Sequence, residues 1–232
     1  MKITYIKHSS FLVELEKTIL LFDYFEGDIP TLDDSKNIYV LSSHYHQDHF
    51  NKKIFDLSDK YNNVVYILSN DIKISKNIKD SKKDSILFIK PHEEVQIDDL
   101  KIHTLKSTDQ GVAFVINIEG ENIYHAGDLH WWHWSGESDQ YNKNMAKAFK
   151  SEIELIKDNT FDIAFLPLDP RLEEFYYLGF DYFMNNTNTN VAVAMHLWDD
   201  FLLVDKFINS DISKNYNDKI VKLSNTDTTL II

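Results

Sequence analysis

Apolar and polar side chains alternate through the first part of the chain. Ile3, Tyr5, Phe11 and Val13 follow this pattern within residues 2–22, and an apolar run ends the segment. Such alternation is typical of strands that bury one face, so we predict three short strands here. Further strands are predicted from short apolar runs at residues 38–41, 64–68, 86–89, 94–97, 100–105, 113–118, 123–125, 161–166, 191–194, 220–223 and 228–232.

The clearest helical pattern covers residues 138–159, where an apolar stripe that includes Phe149 and Ile153 faces a lysine-rich side. Ser138 and Asp139 suit the N-terminus of this helix. Weaker helical patterns are predicted at residues 51–61, 70–84 and 199–209. Groups of strands with helices between and after them indicate an α/β protein. We expect two mixed β-sheets packed face to face, with helices outside.

Length and composition limit the class of protein. A chain of 232 residues is predicted to form one domain, 1–232. The formal net charge of −13 disfavours nucleic acid and anionic membranes as partners, because both attract basic surfaces. The chain has no cysteine, so a metal ion would need histidine, carboxylate or other oxygen ligands. Since no signal peptide or membrane-length apolar run is present, we expect a cytoplasmic protein with a small-molecule substrate.

Four potential metal ligands follow the predicted strand at 38–41, namely His44, His46, Asp48 and His49. Residues two apart face the same way in an extended segment, so His44 and His46 are predicted to share one metal position. Asp48 and His49 would then serve a second position. Imidazole and carboxylate ligands together suit zinc, iron or manganese. A histidine-rich solvated loop is the alternative, and it is disfavoured because the motif directly follows a strand.

The pattern His44-x-His46-x-Asp48-His49 resembles the signature of the metallo-β-lactamase-fold hydrolases. Later segments strengthen the resemblance. His125-Ala126-Gly127-Asp128 resembles the strand end whose aspartate bridges two metals, and Met195-His196 resembles the last metal histidine. The resemblance is closest to the short, single-domain, lactonase-like branch. It implies a four-layer αββα sandwich of two mixed β-sheets.

The resemblance also implies one or two divalent metal ions per chain, with zinc favoured and manganese or iron as alternatives. The implied metal ligands are His44 and His46 for one ion, Asp48, His49 and His196 for the other, and Asp128 as a bridge. The family usually supplies a further histidine to the first site, but the corresponding residue here is Ser107, and a hydroxyl is a poor zinc ligand. Three outcomes stay open: a weakened first metal, a first site completed by another histidine, or a single metal at the second site. The nearby spare imidazoles are His125, His130 and His133.

Several further side chains are candidates for catalysis or substrate binding. The candidate catalytic residues are Asp48, in the metal loop, and His133, which we expect to protonate the leaving group or steady the oxyanion, with His130 as the alternative. The candidate substrate-binding residues are Trp131, Trp132, Trp198 and Arg171. Arg171 is the only arginine of the chain and suits a carboxylate or phosphate group, but it could equally pair with Asp169. Asp23 follows a strand and could orient a ligand histidine.

Metal-dependent hydrolysis is the function that these residues favour. A metal-activated hydroxide would attack a small ester, lactone or phosphoester. A nuclease of the same fold is one alternative, and the acidic charge weighs against it. A non-catalytic or weakly active metal- or ligand-binding protein is another, suggested by Ser107. A diiron protein that reduces oxygen or nitric oxide would normally need a flavin domain, which is not seen in this sequence.

Overall fold

The computed structural model describes residues 1–223, 225 and 228–232. These residues form two compact units. The first unit is Met1–Lys90 together with the C-terminal strand, and the second is Pro91–Asn225. Each unit contains a mixed β-sheet of seven strands among the described residues.

The sheet of the first unit combines an antiparallel and a parallel half. Its strands are β1 (Lys2–Lys7), β2 (Ser10–Glu14), β3 (Thr18–Phe22), β4 (Asn37–Ser42), β5 (Val64–Ser69), β6 (Ile86–Ile89) and β14 (Thr229–Ile231). Their order across the sheet is β14-β1-β2-β3-β4-β5-β6. Strand β14 and the first three strands pair antiparallel, whereas β3 to β6 pair parallel.

Central strands of the first unit are apolar on both faces. All five residues of β3 are buried, and so are Ile38–Leu41 of β4. Strands in the parallel part of a sheet are covered on both sides and therefore read as continuous apolar runs. The connections of this half carry a 3₁₀ helix at Lys52–Asp59 and the short helix α1 at Lys76–Ser81. The carboxyl end of β4 delivers the chain directly into the histidine-rich loop.

The second unit repeats this arrangement of antiparallel and parallel halves. Its strands are β7 (Glu94–Ile97), β8 (Leu100–Lys106), β9 (Val112–Ile118), β10 (Glu121–His125), β11 (Thr160–Pro167), β12 (Asn188–Met195) and β13 (Ile220–Val221). Their order is β13-β12-β11-β10-β9-β8-β7, with β10 to β13 parallel. The helices are α2 (Asp139–Glu154), α3 (Leu178–Asn186) and α4 (Leu202–Ile208). A 3₁₀ helix covers Pro170–Phe175, and another covers Asn217–Lys219.

Three neighbouring parallel strands of the second unit end at polar side chains. Asp128 follows β10, Asp169 follows β11 and His196 follows β12. Carboxyl ends of adjacent parallel strands lie at one edge of the sheet, which is where α/β proteins place ligand sites. The topology therefore brings together residues that are far apart in sequence.

The predicted α/β class with two mixed sheets and accompanying helices is confirmed, while the single-domain assignment 1–232 stays a prediction. Some helix boundaries differ from expectation. The segment at 51–61 is a 3₁₀ helix, the helix expected at 138–159 ends at Glu154, and the one expected at 199–209 begins at Leu202. Ser138 caps α2 as predicted, its hydroxyl accepting a hydrogen bond from the Tyr141 N–H. Along the described residues, no helix has the length and apolar character that a membrane crossing requires.

Candidate metal centre

In the first unit, His44 and His46 direct ring nitrogens toward each other. His44 is fully buried, and its Nδ1 lies 3.0 Å from the Ser43 hydroxyl. Its Nε2 lies 3.0 Å from Nδ1 of His46. Two nitrogens bound at about 2.0 Å to one tetrahedral zinc ion would be about 3.3 Å apart. The separation in this structure therefore fits two imidazole ligands of one ion, and their sharing of one metal position stays a prediction.

His49 is oriented by a buried carboxylate. Asp23 directly follows β3 and has no exposed surface. Its Oδ2 lies 2.7 Å from His49 Nδ1 and accepts a hydrogen bond of 2.6 Å from the Ser43 hydroxyl. Its Oδ1 accepts the Ser43 N–H at 2.7 Å. A histidine whose Nδ1–H is donated to a carboxylate presents Nε2 as a metal ligand, and this arrangement is characteristic of metal-binding histidines.

His8 joins Asp48 and His49 in the first unit. Its Nε2 lies 3.5 Å from Asp48 Oδ2, and one ligand atom from each of the three residues lies within 4.8 Å of the others. The His8 backbone has a φ of 55°, in the left-handed region, and its N–H donates to the hydroxyl of Tyr5 at 2.8 Å. His8 is not among the metal ligands predicted from the sequence. The structure places its ring beside the predicted ligands.

In the second unit, His196 and Asp128 form a close pair. His196 Nε2 lies 3.0 Å from Asp128 Oδ1, although the two residues are 68 positions apart in sequence. Gly127 has a φ of 50°, which glycine adopts at no steric cost just before Asp128. The backbone carbonyl of Asp128 accepts a hydrogen bond from the indole N–H of Trp132 at 3.1 Å. The predicted bridging carboxylate and the predicted last histidine thus lie side by side.

Asp169 orients His196 as Asp23 orients His49. Asp169 is fully buried, and its Oδ2 lies 2.9 Å from His196 Nδ1. Burial by itself would raise the pKa of the Asp169 carboxyl. The hydrogen bonds and charges of His196 and Arg171 outweigh burial and hold this pKa well below its ordinary value. From the sequence, Asp169 is predicted only as a partner of Arg171, because the contact with His196 joins the ends of two different strands.

Ser107 shapes a turn that presents the next acidic residue. The Ser107 hydroxyl accepts the Asp109 N–H at 3.1 Å. Thr108 donates its hydroxyl to the backbone carbonyl of His130 at 2.6 Å and accepts the His130 N–H at 3.0 Å, which fastens the turn beside Asp128. As a result, a carboxylate oxygen of Asp109 lies within 4.8 Å of one of Asp128. Asp109 is not predicted as a ligand from the sequence, although it stands only two residues after Ser107, where a histidine is expected.

The four candidate substrate-binding residues differ in accessibility. Trp198 is 47% exposed, whereas Trp132 is only 5% exposed and stacks on Trp134. Trp131 is partly exposed, and the Lys150 ammonium lies 4.1 Å from its ring centroid. The guanidinium of Arg171 lies 4.5 Å from the ring of Trp198. Their roles in substrate binding stay predictions.

His133 and His130 have contrasting surroundings. The ring of His133 is partly exposed and lies 3.9 Å from that of Phe175. His130 is 1% exposed, and among the described residues no group forms a hydrogen bond with its Nε2. Burial lowers the pKa of His130 to about 3, against the opposing charges of Asp169 and Asp128. His130 is therefore uncharged at neutral pH, and the catalytic role of His133 stays a prediction.

Comparison with known proteins identifies a family and structures of similar fold. The profile of the β-lactamase superfamily domain matches residues 2–140. A metallo hydrolase from the hyperthermophilic archaeon Ignicoccus hospitalis has a similar structure, with a TM-score of 0.65, 16% identity and coverage of 100% of this chain and 98% of that one. The metallo-β-lactamase fold protein YhfI from Bacillus subtilis gives a TM-score of 0.58 at 14% identity, covering 99% of both chains. Isothiocyanate hydrolase from Delia radicum gut bacteria gives a TM-score of 0.56 at 15% identity, covering 100% of this chain and 99% of that one.

Fold and ligand types together define the class of protein. Two mixed sheets with His and Asp side chains at their strand ends are the features of the metal-dependent hydrolases of the metallo-β-lactamase fold, which use one or two divalent ions. The match over residues 2–140 shows that the chain belongs to the β-lactamase superfamily. The donor set fits such ions, because two of the histidines already have a carboxylate on Nδ1.

The buried His130 predicts a loss of stability in acid. Its pKa falls from an ordinary value of 6.5 to about 3 in the folded protein, so the unfolded chain takes up the proton first as the pH drops. Stability is therefore lost from pH 6.5 downward until the folded state is protonated near pH 3. Between pH 7 and 5 we expect the free energy of unfolding of wild type to fall by ~2 kcal/mol relative to that of His130→Leu, which has no titrating group at this position.

Urea denaturation of both proteins at the two pH values, with chelator present, measures this difference. Wild type and His130→Leu need not be equally stable at either pH. The effect of His130 is seen in how the difference between their free energies of unfolding changes from pH 7 to pH 5. A difference that stays constant between pH 7 and 5 would contradict the prediction.

Proposed function

We propose that this protein is a hydrolase that cleaves a small ester, lactone or phosphoester with the help of zinc. The observation that carries the proposal is the pair of buried carboxylates, Asp23 and Asp169. Each accepts a hydrogen bond from Nδ1 of a predicted ligand histidine, His49 or His196. This arrangement leaves Nε2 of each histidine to a metal ion and is costly to bury without such a role.

The ligand assignment follows the order of the family signature and adds one residue. As the signature implies, His44 and His46 would serve one ion and Asp48, His49 and His196 the other, with Asp128 as the bridging carboxylate. We add Asp109, which lies beside Asp128, as the candidate ligand in place of the histidine expected at Ser107. Because its carboxylate is a harder ligand than imidazole, the first position would accept manganese or iron as well as zinc.

Bound ions would supply Lewis acidity, polarising the substrate oxygen and lowering the pKa of water toward about 7. The chain itself supplies orientation and protons. Asp48, 30% exposed and 3.5 Å from His8, can accept a hydrogen bond from the attacking water. The ring of His133 is partly exposed and lies 3.9 Å from that of Phe175, and such an accessible imidazole suits a donor that delivers a proton to the leaving oxygen.

The accessible aromatic groups suit a small substrate. Trp198 and the partly exposed Trp131 would pack against its apolar part, whereas Trp132 is buried and Arg171 is bound to Asp169. The net charge of −13 disfavours nucleic acid and anionic membranes as partners. A cytoplasmic location and a small-molecule substrate are part of the proposal.

Turnover after controlled metal loading tests the proposed function. Protein stripped with a chelator and reloaded with zinc, manganese or ferrous iron is assayed against an aryl ester, a γ-lactone and an aryl phosphodiester. We expect hydrolysis of at least one class, lost on chelation and restored by metal. Full metal loading without turnover of any of the three classes would count against a hydrolase with these substrates.

Replacement of His49 should remove one metal. The side chain of His49→Ala offers no nitrogen, and the loss of a ligand at the second position should reduce the bound metal by about one equivalent. His103→Ala is the matched control, since His103 lies in β8, where its Nδ1 is 3.8 Å from a carboxylate oxygen of Glu94. Metal content by elemental analysis compares the two variants. Equal content in His49→Ala and wild type would refute the assignment of this ligand.

Replacement of Asp109 should weaken a different metal position. We expect Asp109→Ala to lower the affinity for one equivalent by roughly tenfold or more while the other equivalent stays bound, because each ion has its own ligand set. Asp99→Ala removes a carboxylate at an exposed turn and serves as the control. Titration with a fluorescent chelator resolves the two affinities. Identical titrations for Asp109→Ala and wild type would leave Ser107 or a histidine as the remaining explanation.

A further inference from the structure

Arg171 holds the Asp169 carboxylate through both of its oxygens. The Arg171 backbone N–H donates to Oδ1 at 2.9 Å, and Nε lies 3.0 Å from Oδ1 and 3.1 Å from Oδ2. A terminal nitrogen of the guanidinium donates to Oδ2 at 2.6 Å. These contacts fix the plane of the carboxylate as well as its charge, which a single ammonium group could not do.

Two tryptophans keep the guanidinium in place. Its central carbon lies 4.5 Å from the Trp198 ring centroid and 5.7 Å from that of Trp134. The Trp198 indole N–H also donates to Asp169 Oδ2 at 3.3 Å. A planar cation stacked on aromatic rings and fastened to a carboxylate has little freedom to turn toward another partner. Arg171 is thereby tied to Asp169, although its side chain is 46% exposed.

Asp169 in turn orients the ring of His196. Its Oδ2 accepts the His196 Nδ1–H at 2.9 Å, so the ring keeps its lone pair on Nε2. That Nε2 lies 3.0 Å from Asp128 Oδ1. The His196 backbone has a φ of 64°, and Trp198 has a φ of 49°. Backbone in this region persists only where surrounding contacts impose it, and here the contacts converge on Asp169.

We infer that Arg171 is a positioning residue for the metal ligand His196: the guanidinium, held by Trp198 and Trp134, sets the Asp169 carboxylate that aims the His196 ring. The inference rests on the proposed function, because it takes His196 to be a metal ligand. In this role Arg171 does not contact the metal itself but acts on a metal ligand through Asp169. If Arg171 only stabilised the loop, its replacement would leave metal binding unchanged.

Two variants separate these roles. Arg171→Met keeps much of the apolar stem and removes both charge and fork, and we expect metal affinity at the His196 position to fall by about 10- to 100-fold. Arg171→Lys keeps the charge and loses the planar fork, so its metal affinity should lie between those of wild type and Arg171→Met. Competition with a chelator measures affinity. The visible absorption bands of the cobalt-loaded protein report the ligand geometry, and we expect both variants to shift them.

Lys206→Met is the matched control in the same unit. The Lys206 ammonium lies 4.7 Å from the Tyr176 ring centroid, so this variant loses a cation–π contact that does not involve Asp169. We expect its metal affinity and cobalt bands to match those of wild type. Circular dichroism and thermal melting establish that each variant is folded before metal is added.

The outcomes distinguish this inference from the proposed function. If wild type binds no divalent metal, the proposed function fails and the inference falls with it. If wild type binds metal and folded Arg171→Met keeps its affinity within twofold with unshifted cobalt bands, the positioning role alone is wrong. Should Arg171→Met fail to fold, Arg171→Lys decides by the same two measurements.

Discussion

Two carboxylates without solvent contact, Asp23 in the first unit and Asp169 in the second, constrain the structure around them. Burying an ionised carboxylate costs several kcal/mol unless hydrogen-bond donors surround it. Asp23 receives the Ser43 N–H and hydroxyl as well as the His49 ring. Asp169 has donors from Arg171, His196 and Trp198. In each unit, the hydrogen-bond donors around the aspartate stabilise its buried charge, and the aspartate in turn orients a histidine.

The backbone at these sites carries the strain that such precise orientation demands. Non-glycine residues with positive φ include His8 and Asp23 in the first unit and His196 and Trp198 in the second. Each such residue costs about 1–3 kcal/mol and is kept only where neighbouring contacts determine its conformation. In both units these residues are candidate ligands or touch one. Part of the backbone strain therefore lies beside the candidate ligands, while other residues with positive φ, such as Asp98 and Glu119, lie in turns between strands.

The parallel halves of the two sheets explain why distant residues meet within a unit. Adjacent parallel strands β10, β11 and β12 end at the same edge, so Asp128, Asp169 and His196 become neighbours without any local sequence signal. Ser107 shows the same principle in a loop. The replacement of an expected histidine by serine leaves a turn whose hydroxyl binds the Asp109 N–H, and that turn carries a carboxylate to Asp128.

Local patterns were sufficient for part of this protein. The motif from His44 to His49, the strands of residues 2–22 and the capping of α2 by Ser138 could be predicted, because each depends on residues close together in the chain. Tertiary structure decided the partners of His196, the place of Asp109 and the burial of His130, since those depend on contacts between strand ends and loops. It also shortened α2 and α4 relative to their periodicity, because helix ends are set by capping and packing rather than by the apolar pattern alone.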